Sequence, residues 1–534
     1  MSFSNIAILH CHYRRGGVTQ VVENQVAAIA DHTGANVILL SGGRNDGLRE
    51  STIKRCHVRC IAGLEYDDVT AQKSPNFHWD HDLQSRGRLL AKAIADELAD
   101  AGCELDQTIL HWHNHSLGKN AAAPIAIEVL ASEYGFRTLL QLHDFAEDFR
   151  PENYVKLIHA AQASDTEPVN RYLYPINSMI RYATLTSGDA DLLRHVGIPA
   201  AKIDVLPNGV QLPAGERPDA TDALNKIRAA AQLPADSSWC VYPVRGIRRK
   251  NVGEFMLLSR WMPDNMYSGL TLPPTTPIER ASYERWKHLG SKLAPRTVFD
   301  AGTFDGISFL DNLAASSFIL STSAAEGFGM AFLEPWLANR GVVARRLPHV
   351  TDDFGRAGVK LNRLYDAVWI PGSTEWIAEC RKETQQIFDQ AWQSLATRLD
   401  TTFALQWNDP PEHLSGQAID FAQLTTNRQI EVLKRLSNDQ GFDQATQTIN
   451  SMLVESLQAP FDAITLRANR DQIATAYSLQ TTADRLIQTY QQLTNQATAV
   501  DSVHNQQPDH NKSLVEAICH QRPFFPCRVE TEIA

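Results

Sequence analysis

The chain has 534 residues, 43% of them hydrophobic and 21% charged, with a formal net charge of −11 at pH 7. That length exceeds one ordinary hydrophobic core and calls for two or more domains, and the composition is that of a globular protein rather than a disordered one. The acidic balance argues against general binding of nucleic acid or of an anionic membrane, and no stretch reaches the ~18 uncharged apolar residues of a membrane span.

MSFSNIAILH enters a strand almost at once, Asn5 to His10, so no secretory leader is expected; eight scattered cysteines fit reduced thiols and a cytoplasmic location. The loop CHYRRGG follows, with a helix from near Val18. Gly16 and Gly17 let the backbone approach a ligand closely at that helix start. A dinucleotide site would want G-x-G-x-x-G and an acidic residue after the second strand, Asn36 to Leu40, and neither is present. Cys56, His57 and Cys60 lie close together, but no second ligand cluster answers them. Residues 86 to 101 carry helical periodicity. The strand Thr108 to Trp112 ends in HWHNHS, where His111, His113 and His115 alternate; alternate residues share a strand face, so metal binding is conceivable, as is a contribution of His113 or His115 to a ligand pocket. Arg137 to Leu142 is the next strand and ends in His143-Asp144. Ala183 to Ser187 reads as a strand, Asp189 to Val196 as a helix, and Asn208-Gly209 as a turn.

Trp239 to Val244 is an apolar strand followed by RGIRRKN, in which Arg245 and Lys250 stand five apart across a strand-to-helix loop. Residues 263 to 296 offer little chemistry. Val298 to Ala301 reads as a strand, with Phe304 in the loop after it. From residue 318 the chain runs FILSTSAAEGFGMAFLEPWLANRGVVAR: a buried strand, Glu326, a Gly327-Phe328-Gly329 turn, a helix from about Met330 to Asn339 carrying Glu334, and a second strand, Gly341 to Ala344. This is a parallel βαβ unit, whose ligand edge lies at the strand's C-terminal end, and the helix N-terminus is expected to serve an anion. Two carboxylates beside an anion site suit a ligand with hydroxyls and phosphate. Arg345, Arg346, His349, Asp352 and Asp353 read as a polar loop, and Val368 to Pro371 as the last strand of this domain. From about residue 373 the sequence is helical to Ala497; residues 498 to 512 read as a linker, and the tail carries Phe524 and Phe525.

The segment around Glu326 and Glu334 resembles the E-x7-E segment of retaining glycosyltransferases of the GT-B fold, particularly family 4. The resemblance implies an α/β chain of two Rossmann-like domains facing a cleft: 1–209 on the acceptor side, 210–372 binding the nucleotide sugar, 373–497 a helical extension returning in part to the N-terminal domain, and 498–534 linker and tail. By the same resemblance Gly16 and Gly17 form the first loop, facing donor phosphates and acceptor. His143 lies against the donor sugar, and the segment VLPNGV, with Asn208, crosses between domains. Arg245 and Lys250 hold the diphosphate, Phe304 borders the base, Glu326 holds sugar hydroxyls and Glu334 the ribose hydroxyls. Asn208, Gly327, Phe328 and Gly329 are counted with the donor-binding residues.

The implied activity is transfer of a hexose, with retention, from a nucleotide-diphosphate sugar to a hydroxyl acceptor, a small polar molecule or a saccharide. No cofactor or bound metal is expected, and a homo-oligomer is compatible. A sugar phosphorylase and a nucleotide-sugar epimerase share this architecture, and a scaffold with a vestigial site is the non-enzymatic alternative. The two-carboxylate scheme of glycosidases does not transfer, because these glutamates would bind the donor instead of flanking the scissile bond.

Overall fold

In the computed structural model, which describes residues 3–529 apart from 75, 164, 214, 398–404, 408–411, 414 and 497–512, the chain divides into two compact units. The first holds Met1–Gly209, Trp392–Trp407 and Tyr477–Arg522; the second holds Val210–Ala391, Asn408–Ala476 and Pro523–Ala534. The linker expected over 498–512 lies outside the described residues. No helix among the described residues is long and apolar enough to cross a membrane.

The first unit is built on seven parallel strands: β1 (Asn5–His10), β2 (Asn36–Ser41), β3 (His57–Cys60), β4 (Thr108–His113), β5 (Arg137–Leu142), β6 (Ile180–Thr184) and β7 (Ile203–Val205), in the order β3-β2-β1-β4-β5-β6-β7. Strand direction of growth reverses between β1 and β4, so their C-terminal ends open the crevice where such sheets bind ligands. Ile6, Ile8, Leu39, Ile109 and Leu139 bury one face against Val22, Val26 and Ile29 of the helix Gly17–His32. Leu486, Tyr490 and Leu493 of the helix Leu479–Gln496 join the same core. Gly209 packs closely under that helix: a Cβ there would lie 2.7 Å from Leu479 Cδ2, which would have to shift. The strand read at Ala183 to Ser187 sits earlier, because Thr186 instead caps the helix Ser187–His195 through the Asp189 amide.

The second unit has six parallel strands: β8 (Ser238–Arg245), β9 (Met266–Leu272), β10 (Thr297–Val298), β11 (Ser316–Ser321), β12 (Gly341–Arg345) and β13 (Leu364–Tyr365), in the order β10-β9-β8-β11-β12-β13. Here the switch falls between β8 and β11. The region from 263 to 296, which offers little chemistry in sequence, supplies β9 and the helix Pro277–Leu293. Val368 to Pro371 is not a strand of this sheet: β14 (Trp369–Pro371) pairs antiparallel with β15 (Ala418–Asp420). The helices Val252–Trp261 and Thr426–Asn438 cover the sheet with Phe255, Leu258, Leu433 and Leu436.

Two further local expectations fail. The helix read from Met330 to Asn339 is a 3-10 turn, Met330–Phe332, and a four-residue turn, Glu334–Leu337. Proline at position 335 has no amide to continue the first turn, so the chain restarts there and offers no extended helix dipole to an anion. Arg345 is no part of a polar loop. It ends β12 fully buried, and Pro348–Arg356 is a helix.

Candidate active site

In the second unit, β8 and β11 run side by side, with Val241 opposite Ile319, and the loops after both carry the charged groups. The β8–β9 register slips between Tyr242 and Arg245, and the ladder resumes with Arg245 opposite Leu272. The chain then makes a 3-10 turn, Arg248–Lys250, and Asn251 takes a left-handed conformation (φ 49°) before the helix Val252–Trp261. Across from it, Thr322 Oγ1 donates to the carbonyls of Lys250 (2.9 Å) and Asn251 (3.2 Å), and the Ala324 amide donates to the Arg249 carbonyl (2.8 Å). The two loops are thereby stitched together.

Lys250 Nζ donates to Glu326 Oε1, with both side chains about nine-tenths buried at 8% and 10% exposure. Ser323 Oγ donates to the same oxygen at 2.6 Å, so the Tyr242 hydroxyl, 2.5 Å from Ser323 Oγ, must be the donor in that contact. Burial alone would raise the Glu326 carboxyl. The Lys250 and Arg249 cations outweigh it and hold the group below the usual carboxylate range. Glu326 is therefore ionised, and its Oε2 accepts nothing among the described residues. Glu334 is different. It is half-buried, no donor or cation among the described residues reaches its carboxylate, and burial raises its pKa to about 7.

Arg245 donates Nη1 to the Pro273 carbonyl (3.1 Å), and no carboxylate among the described residues pairs with it. Arg248, by contrast, is neutralised by Glu279, which takes its backbone amide (2.7 Å) and Nε (3.2 Å). Phe328 is buried edge-on against Phe354, with ring centres 5.5 Å apart. Gly329 has φ +83° and stands where a Cβ would meet Phe332 Cδ2 at 2.8 Å, so only glycine fits. Phe304 is half-buried after β10.

In the first unit, the ends of β1, β4 and β5 bring histidines together. His143 Nε2 is 2.8 Å from His113 Nδ1, and Asn114 Oδ1 holds the His143 amide at 2.7 Å. His111 uses both ring nitrogens, on Tyr490 (2.8 Å) and Gln141 (2.9 Å), which leaves none for a metal. His115 leaves the face that His111 and His113 share: Asn114 has φ +55°, which breaks the strand alternation, and His115 Nε2 reaches the Leu173 carbonyl at 2.7 Å. Burial holds His143 at about 4 and His111 at about 3, so both rings are neutral at pH 7. The sequence reading overlooked His10, Cys11 and His12, whose ligand atoms lie within 4.8 Å of one another. Burial first, and then the charges of Arg14 and Arg44 against the opposing Asp46, lower the His12 pKa and keep its ring neutral.

Gly16 has an extended backbone (φ 176°) that any residue adopts, and a Cβ on Gly17 would meet nothing within 4 Å. The fold itself therefore does not demand glycine at Gly17. Arg14, Arg15 and Arg44 are exposed on the loops beside it, and no carboxylate among the described residues pairs with them; Asp46 is also exposed nearby. Those loops are joined by Tyr13 amide to Arg44 carbonyl (2.7 Å) and Gly47 amide to Tyr13 carbonyl (2.8 Å). Asn208 is buried and its Oδ1 has no hydrogen-bond partner among the described residues.

No protein-family model matches the chain. Among characterised proteins, it is 28% identical over 396 residues to the mannosylglucosyl-3-phosphoglycerate synthase of Petrotoga mobilis, covering 72% of each chain. Among solved structures, it superposes on sucrose-phosphate synthase of Thermosynechococcus elongatus with a TM-score of 0.52 at 14% identity, covering 92% of this chain and 99% of that one. The catalytic domain of starch synthase IV from Arabidopsis thaliana, bound to ADP and acarbose, gives 0.52 at 12% identity, over 93% and 100%. The fold is GT-B. At these identities the structural likeness speaks to architecture alone, and chemistry has to be argued from the side chains.

Proposed function

We propose that this GT-B chain is a retaining glycosyltransferase of the E-x7-E type, which moves a hexose from a nucleotide-diphosphate sugar to a hydroxyl group of an anionic acceptor. The observation that carries the reading is the buried Lys250–Glu326 pair between the loops after β8 and β11. A buried ion pair is a costly way to stabilise a fold, and this one leaves Glu326 Oε2 open to accept a sugar hydroxyl. It also presents an ammonium and, through Arg245, a guanidinium without a carboxylate partner. Such groups stabilise the charge that develops on a departing diphosphate.

In the reaction, the bond from the anomeric carbon to the diphosphate breaks while the acceptor oxygen bonds to the same face. The acceptor's proton passes to the departing phosphate oxygen, so no protein base is needed. Lys250 and Arg245 take the leaving-group charge, and Glu326 orients the sugar. Glu334, whose carboxylate has no internal partner, is assigned to the ribose hydroxyls. The roles of Gly16, Gly17, Asn208 and His143 rest on the resemblance; a neutral His143 hydrogen-bonds and does not serve as a cation.

The acceptor is assigned a phosphate or carboxylate group because Arg14, Arg15 and Arg44 form a basic patch that no carboxylate among the described residues pairs, in an acidic protein. The name of the Petrotoga relative, which contains phosphoglycerate, points the same way. The free cysteines accord with the cytoplasm. Calorimetric titration with UDP, GDP and ADP tests the donor site: one should bind and K250A should weaken it severely. Equal binding by wild type and K250A would sink the assignment.

A further inference from the structure

Beside the loop that carries Lys250 lies a charge cluster that no step above uses. Arg345 spends all five of its N–H donors inside the second unit. Its Nε and Nη2 reach Glu254 (2.9 and 2.6 Å), Nη1 and Nη2 reach Asp420 (both 2.8 Å), and Nη1 also reaches the Asp366 carbonyl (2.9 Å). The three side chains are at most 1% exposed, and the Tyr365 and Phe525 rings cover the guanidinium from 5.4 and 5.3 Å. Glu254 is the link to the site: its Oε2 accepts from Asn251 Nδ2 at 2.9 Å, and Asn251 directly follows Lys250. Asn251 Oδ1 accepts from Gln429 at 3.2 Å, so its side chain is held from both ends while its backbone sits in the left-handed turn.

We propose that Arg345 is a positioning residue for the diphosphate site: by clamping Glu254 onto Asn251 it fixes the turn that aims Lys250 at Glu326 and at the outer phosphate. A fully desolvated arginine with two carboxylates is an unusual device if only stability is served, since apolar residues of similar volume do as well. Its planar fork defines angles as well as charge, and Asp420 fixes the fork from a separate strand, β15. The ordered residues are those of the loop, and the element they order carries the cation that meets the ligand.

The proposal rests on the donor-site reading, and the test separates the two. N251G keeps the left-handed turn, which glycine accepts, and removes the amide that Glu254 holds; R345K keeps the charge and loses the fork. The probes are whichever of UDP, GDP and ADP binds wild type most tightly, and the corresponding nucleoside, measured by competition titration. The expected result in both variants is about a tenfold loss of affinity for the diphosphate with less than about a twofold change for the nucleoside. Combined with K250A, N251G should add less than about twofold, because the group it positions is gone. Equal losses for diphosphate and nucleoside, an undiminished N251G effect in the K250A background, or no loss in folded N251G would each overturn the proposal. If R345K does not fold, N251G decides. Wild-type diphosphate affinity in K250A alone would overturn the donor-site reading instead.

Discussion

Replacing Glu334 with Gln is expected to stabilise the protein at pH 8 and to do so much less near pH 5. The carboxyl titrates at about 7 in the folded chain because burial disfavours its charge and no cation offsets it. In the unfolded chain it titrates near 4.5. Below the unfolded value both states are protonated and nothing is lost. As pH rises towards and through 7, the unfolded state sheds its proton more readily, so stability falls until the folded group has ionised. The gap corresponds to about 3 kcal/mol at most, and partial exposure of the side chain brings the expectation to about 1–3 kcal/mol. Thermal unfolding of wild type and E334Q at pH 5, 6.5 and 8 measures it. The same site should bind nucleotide more tightly as pH rises through 7, because the ionised form accepts from both ribose hydroxyls. E334Q should lose that pH dependence and bind about tenfold or more weakly. A stability difference independent of pH, or wild-type nucleotide affinity in E334Q across the range, would refute the reasoning.

Lys250→Ala should lower turnover by about 10²–10³ and cost about 3 kcal/mol of stability, because Glu326 is left buried without its cation. The double variant K250M/E326Q should recover much of the stability without turnover, as read by thermal unfolding and donor consumption. R14A/R44A should raise the KM for a phosphorylated acceptor about tenfold, with the KM for donor unchanged and the effect shrinking at high salt. Gly209→Ala should cost about 1–2 kcal/mol through overpacking against Leu479, with nucleotide affinity unaltered.

Much of the fold was legible because most strands are apolar runs closed by polar or small residues: β1 and β5 have the bounds that the sequence suggests. β9 was not, because Ser268 and Gly269 interrupt the apolar run of MYSGLTL, and its structure shows why. A Cβ on Gly269 would lie 2.2 Å from the Trp239 ring, so the strand gives up side-chain volume to a neighbour 30 positions earlier. The split between Phe332 and Glu334 follows from Pro335, a helix-breaking residue visible in the sequence. In the site, residue types were legible and pairings were not. Lys250 and Glu326 were each singled out, yet nothing local says that they meet across 76 positions, or that Ser323 and Tyr242 brace them. Arg345 was misread for the same reason: its surroundings in sequence are polar, and its partners Glu254 and Asp420 lie 91 and 75 positions away.

The central claim is sugar transfer from a nucleotide diphosphate with retention. Proton NMR of the anomeric signals tests it most directly, in a mixture of protein, phosphorylated hydroxyl acceptor and the nucleotide-diphosphate hexose whose nucleotide binds. The account predicts loss of the donor signal, release of the free nucleoside diphosphate, and a new glycoside with the donor's anomeric configuration, all absent with K250A. A product of inverted configuration, donor conversion without acceptor, or cleavage that depends on inorganic phosphate would contradict it.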